Sequence, residues 1–329
     1  MLTTIVLATV LQLTATPIAL PGGAPVVMDY LAWDGAQHRL WVPAGNSGNI
    51  DVIDFSGRDG KVATIGNQPT APSSRAGRPN AGASSASIGD GVVWIGSRAD
   101  ASVCAFDRVT RAAGACLKLS TAPDGLAWVA ATHELWTTTP RDHTLTVIPV
   151  AGAKPGAPAT IALDGEPEGY AVDSAHGLFF TNLEDKDRTL ALDVKTRKVR
   201  SSWPSGCGEA GPRGLAVDGA RRLLFVACGA GGVGIFDLAH DGRPLARLTT
   251  AAGVDNIDYD AASGLLYAVA GSDGTLTIAR VAAGGAVTPV ASAATGRGAR
   301  VVVTGDGRAF VADSQGGRIW TVAAPAKRE

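Results

Sequence analysis

The side chains best suited to chemistry in this 329-residue chain are Asp29, Asp124, Glu168, Arg213, Asp255, Asn256, Arg300 and His143. Glu168, Asp255 and Asn256 offer hard oxygen ligands of the kind a calcium ion takes. Arg213 and Arg300 are fork-shaped donors able to clamp a carboxylate or phosphate. His143 is the histidine placed to act as a general base, and Glu168 would serve as one only if burial lifted its pKa toward neutrality. A plainer reading of the same residues is a solvated rim in which opposite charges pair for solubility.

What unites these residues is their place in a repeat. Gly214 to Thr250 holds four short runs rich in β-branched and aromatic residues, separated by Gly, Asp and Pro, which reads as four consecutive antiparallel strands. An aromatic recurs in the second strand of each such unit, at Trp41, Trp94, Trp136, Phe179, Phe225, Tyr267 and Phe310. The spacing is roughly 42 to 46 residues, with one longer gap of roughly 53, the period of a propeller blade. Aromatics make up only 5% of the chain, so their register carries weight. The expected fold is all-β: a seven-bladed β-propeller with four antiparallel strands per blade.

The repeats resemble the YVTN-type propellers of bacterial exported proteins. Phe179-Phe180-Thr181-Asn182 is nearest to the family tetrad, Phe225-Val226-Ala227-Cys228 and Phe310-Val311-Ala312-Asp313 are looser, and Gly214 to Asp218 has the family's first-strand form. The resemblance covers scaffold positions in all seven units, so it implies a fold more than an activity.

In a four-stranded blade, the loop entering the first strand and the loop joining the second to the third emerge on one face and surround the mouth of the central channel. Asp29, Ser85, Asp124, Glu168, Arg213, Asp255 with Asn256, and Arg300 occupy loops of the first kind. Asn46, Arg98, Arg141, Asp142, His143, Asn182, Glu184, Asp273 and Asp313 occupy the second. His38, His133, His176 and His240 fall in turns on the opposite face, which gives little support to lyases or lactonases that pair a histidine with a metal.

The seventh unit stops after three strands. Thr16 to Gly22 looks like the outer strand near Ala159 to Gly165, so Pro17 to Leu20 is expected to supply the missing strand and close the ring. Residues 1–15 read as a possible export signal, 16–324 as the propeller, 68–84 as a surface insertion and 325–329 as a tail. Cys104 and Cys116 face each other across a hairpin, and Cys207 and Cys228 lie at one end of another sheet. Two local disulfides fit, against the alternative of four buried thiols. Periplasmic or secreted location follows from the former.

Several classes find no motif. There is no zinc-type cysteine pair, no phosphate loop between strand and helix, no Gly-x-Ser-x-Gly elbow and no haem attachment motif. A net charge of −1 without a basic stripe argues against nucleic acid as partner, and no stretch is long enough to span a membrane. The favoured expectation is a monomeric, non-catalytic binding propeller without a cofactor, offering its channel mouth to a small molecule or a protein. The alternative is a calcium-assisted lactonase, esterase or lyase of the gluconolactonase-like kind, with the ion on Glu168, Asp255 and Asn256.

Overall fold

Blade five shows how the repeat folds. Its strands Pro212–Asp218, Leu223–Cys228, Val233–Asp237 and Arg243–Leu248 pair in sequence order. Every residue of the second strand is buried, because apolar side chains on both of its faces meet a neighbouring blade, while the outer strand is mostly accessible. Asp218 ends the first strand, and its carboxylate accepts the Arg221 amide at 3.0 Å. Asp237 does the same for Ala239 at 2.9 Å after the third strand. Both aspartates are turn locks of the kind short acidic side chains form.

The computed structural model describes residues 10–57, 59–73, 77 and 79–326. Seven sheets follow the order of blade five, and the seven register aromatics are all buried, each 0 or 1% exposed. Side chains from adjoining blades also clasp one another. Arg108 of blade two donates to Asp34 of blade one at 2.7 Å, Arg197 of blade four to Glu134 of blade three at 2.5 Å, and Tyr259 of blade six to Asp218 of blade five at 2.8 Å. Asp34, Glu134 and Asp218 are buried, so these partners are what make their charges tolerable.

Blade seven contributes Val301–Gly305, Arg308–Asp313 and Arg318–Ala323. Ala15–Ala19 supplies its fourth strand, antiparallel, with Pro17 opposite Trp320. Proline is acceptable there because the strand is an outer edge. Leu11–Leu13 lies parallel to the outer strand of blade six, Val287–Ala294. The possible signal segment therefore contains residues that pair with two blades, and residues 1–9 of it lie outside the described residues. So do 74–76 and 78 of the insertion, whose described part carries a bridge from Ala71 to Ala81, and 327–329 of the tail.

Both cysteine pairs are joined. Cys104 and Cys116 are register partners with Cα atoms 4.0 Å apart, and Cys207 and Cys228 are bonded across 5.1 Å. Among the described residues no helix is long and apolar enough to cross a membrane.

Candidate functional site

At three of the junctions, the loop entering a blade's inner strand is tied by backbone to the corresponding loop of the next blade. The Tyr30 amide donates to Ser84 O at 3.0 Å, the Gly214 amide to Asp255 O at 2.7 Å, and the Asn256 amide to Arg300 O at 3.0 Å. Residues at this mouth are thus held by main chain. Crowding explains the glycines that follow them. A Cβ on Gly125 would come within 2.7 Å of the Tyr170 ring, and Gly169, at φ +68°, leaves 2.4 Å between such an atom and Arg213 O.

The mouth side chains form a connected array. Arg98 bridges Asp29, at 2.5 Å, and Asp124. Arg300 pairs with Asp255 at 3.2 Å, and Arg213 with Glu184 at 2.7 Å. Arg213 and Arg300 are therefore separately engaged and do not act as one clamp. The Tyr30 hydroxyl sits 3.4 Å from Asp124 and 3.2 Å from Glu168. Tyr30 and Tyr170 stack with centroids 5.6 Å apart. Glu168 has no cationic partner among the described residues, and it remains partly accessible along the channel.

Charge density follows from this arrangement. Burial, with Asp124, Asp255 and Asp29 close by, pushes the Glu168 carboxyl well above its ordinary range. Burial also raises Asp124, although Arg98 opposes it. Asp255 is pushed up to about 6 by burial, against the pull of Arg300 and with Asp29 adding to the rise. Tyr30 is pushed well up by burial and by Glu168. The mouth is a partly enclosed channel holding more acid than base, a setting in which functional groups acquire shifted pKa values.

Other expected residues have different duties. Asn256 Oδ1 accepts the Ile257 amide at 3.1 Å. Asn46 and Asn182 bond backbone at Pro25 and Arg213, and Asp313 locks a turn at Gly316. His143 is exposed, 3.9 Å from Glu166, and is not joined to the buried array. The other four histidines each face an aspartate outside the mouth: His38 with Asp306, His133 with Asp90, His176 with Asp173 and His240 with Asp237. Among the described residues no three His, Cys, Asp or Glu gather so as to hold a metal ion. Sequence reasoning underrated Arg98 and Tyr30. Arg98 was placed at the mouth only as one of the second-ring loops and Tyr30 sits beside Asp29, and an arginine shared by two aspartates declares itself only in three dimensions.

No protein-family model matches the chain, and no curated protein matches it. Solved structures do. A chain of the mitotic checkpoint complex aligns at TM-score 0.74 and 13% identity, covering 94% of this chain and 91% of that one. A streptogramin B lyase aligns at TM-score 0.74 and 11% identity, covering 94% and 97%. Virginiamycin B lyase from Staphylococcus aureus aligns at TM-score 0.72 and 12% identity, covering 94% and 99%. At such identities the likeness is one of architecture: the chain shares the propeller fold with these proteins.

Proposed function

We propose that the chain is an exported, non-catalytic binding propeller whose channel mouth recognises a positively charged group, on a small molecule or on a protein surface. The observation that carries this reading is Glu168, an acid beside stacked tyrosines that makes no ion pair within 4 Å among the described residues, while Arg98, Arg213 and Arg300 pair directly with other acids. A ligand ammonium would supply the missing charge, and the Tyr30–Tyr170 pair offers aromatic faces beside it. Two disulfides support an oxidising compartment, in keeping with periplasmic location or secretion. The first-strand form at Gly214 to Asp218 supports kinship with YVTN-type propellers. Calorimetric titration with n-butylammonium and Nα-acetyl-lysine amide tests the reading. Binding that disappears in Glu168→Gln is expected, and absence of binding by both probes would overturn it.

One observation favours a catalytic reading. A carboxyl whose pKa is raised by burial and by neighbouring acids, within reach of Tyr30, is suited to exchange a proton, and lyases are among the proteins that share the fold. The calcium form of this reading requires Asn256 to release the Ile257 amide and join Glu168 and Asp255. Calcium titration of chelator-treated protein, together with lactone hydrolysis before and after Glu168→Gln, separates the two. No calcium binding and no change in hydrolysis would remove the catalytic reading.

A further inference from the structure

Tyr267 departs from the repeat. In the other six blades the register aromatic is Trp41, Trp94, Trp136, Phe179, Phe225 or Phe310, and the residue paired with it on the inner strand is Ala32, Ser87, Ala127, Val172, Ala216 or Val303. In blade six the aromatic carries a hydroxyl and its partner is Asp258. Packing alone asks only for the ring at this place, so the added polar groups need another explanation.

Tyr267 is 1% exposed, and its hydroxyl is not one of the fully enclosed polar atoms without a partner, so what little of it is accessible faces the adjoining cleft. A hydroxyl that opens on a cleft is free to donate to, and accept from, whatever enters it. Tyr267 lines a cleft of about 280 Å³ between blades six and seven, with Asp260, Thr304, Asp306 and Arg308. The cleft opens where first strands run into second strands, on the face opposite the channel mouth. Its two walls are fastened together: Asp258 Oδ2 accepts the Thr304 amide at 2.6 Å and the Thr304 hydroxyl at 2.8 Å.

We propose that this cleft binds a neutral polyhydroxylated molecule of monosaccharide size. Arg308 lies over the Phe55 ring at 5.4 Å and has no carboxylate partner among the described residues, so its N–H groups, like the Tyr267 hydroxyl, are open to an acceptor in the cleft. Asp306 gives one oxygen to His38 at 2.5 Å and keeps the other, Asp260 keeps lone pairs beyond those given to Ala262 and Ser263, and Thr304 keeps its own. A cation entering the cleft meets Arg308, and an anion meets Asp260 and Asp306. Hydroxyl groups both donate and accept, and carry no charge, so they satisfy both sets without an unpaired ion. The volume is near the lower end of small-ligand sites and suits a single sugar ring.

Saturation-transfer NMR and calorimetry with D-glucose, D-galactose and myo-inositol test this, with acetate and n-butylammonium as charged controls. At least one of the three polyols is expected to bind in the millimolar range. Tyr267→Phe restores the ring type of the other blades, and Arg308→Gln alters an accessible side chain, so both variants are expected to fold. Each is expected to weaken polyol binding by about fivefold or more. Glu168→Gln, on the other face, is expected to leave it unchanged. Failure of all three polyols to saturate by roughly 50 mM, wild-type affinity in both variants, or preference of the cleft for a charged control would each overturn the proposal.

Discussion

The Tyr30 hydroxyl lies 3.2 Å from the Glu168 carboxylate, inside a channel where Glu168 makes no direct ion pair among the described residues and Arg300, a nearby charge of opposite sign, is paired with Asp255. A phenol has one proton and here has two carboxylates within reach, the second being Asp124, already bound to Arg98. The arrangement is balanced when Glu168 is protonated and donates to Tyr30, which in turn donates to Asp124. Glu168→Gln keeps the shape and removes a charge that burial and its acidic neighbours disfavour. Because the folded pKa is raised, the cost of ionising Glu168 is present above its unfolded pKa. The variant is therefore expected to be more stable at pH 7 by about 1–2 kcal/mol, read from urea unfolding. An equal or lower midpoint would mean that Glu168 is held by something other than this proton chain.

Asp255 gives a pH signature of its own. Its carboxyl is pushed up to about 6 by burial in spite of Arg300 at 3.2 Å. As pH rises from the unfolded value near 4, the unfolded chain loses a proton that the folded chain keeps. Stability should fall across roughly pH 4 to 6 and level off above that. Arg300→Gln removes the attraction that limits the shift, so the fall should extend to higher pH. Carbon-detected NMR of the Asp255 carboxyl across a titration checks both statements.

The fold was legible in the sequence because its determinants are local and repeated. The register aromatics, the turn-locking aspartates such as Asp218 and Asp237, and the shortfall of one strand in the last unit are all visible along the chain. Cysteine pairing was legible for the same reason, since Cys104 and Cys116 are set opposite by a single hairpin. The site was less so. The sequence placed Asp29, Asp124, Glu168 and Asp255 around one mouth, yet gave no means of telling that Arg98 would serve two of them or that Tyr30 would turn its hydroxyl inward. Those facts depend on rotamers and on distances between blades. Leu11–Leu13 was equally hidden, because an apolar run at an N-terminus reads the same way whether it is a signal or a parallel edge strand.

The Cys207–Cys228 bridge should matter to the mouth as well as to stability. It pins the loop that leads into Arg213, and the Cys207 and Gly208 amides are also held by Asp187 at 2.9 and 3.0 Å. Replacing both cysteines by serine is expected to cost about 3 kcal/mol and to loosen the Arg213–Glu184 pair. The Cys104–Cys116 bridge closes a shorter loop on the outer edge of blade two, away from the mouth. Its removal is expected to cost a similar amount while leaving ligand binding untouched. Thermal unfolding and butylammonium titration of the two double variants distinguish these roles, and equal effects on binding would refute the assignment.

Ring closure by Ala15–Ala19 makes the strongest demand on the N-terminus. Ile18 and buried Leu20 pack into the cluster shared by blades seven and one, and the Leu20 amide donates to Gly317 O at 2.9 Å. Deleting residues through Leu20 strips the outer strand from blade seven and uncovers that cluster, a loss of about 3–5 kcal/mol from these two side chains alone. The expected result is a fall in Tm of about 10 °C or more. Deleting only through Leu13 removes a strand whose Leu11 is 43% exposed and leaves blade seven whole, so the fall should be about 1–3 °C. The contrast between the two truncations is the informative quantity. If export processing trims the chain, the same physics confines the cut to positions before Ala15, because a product beginning after Leu20 would expose the strand Arg318–Ala323 as an open edge ready to pair with another molecule. Light scattering of the longer truncation should then show association that the shorter one lacks, and a monodisperse longer truncation with unchanged Tm would show that the circle closes without its N-terminal strand.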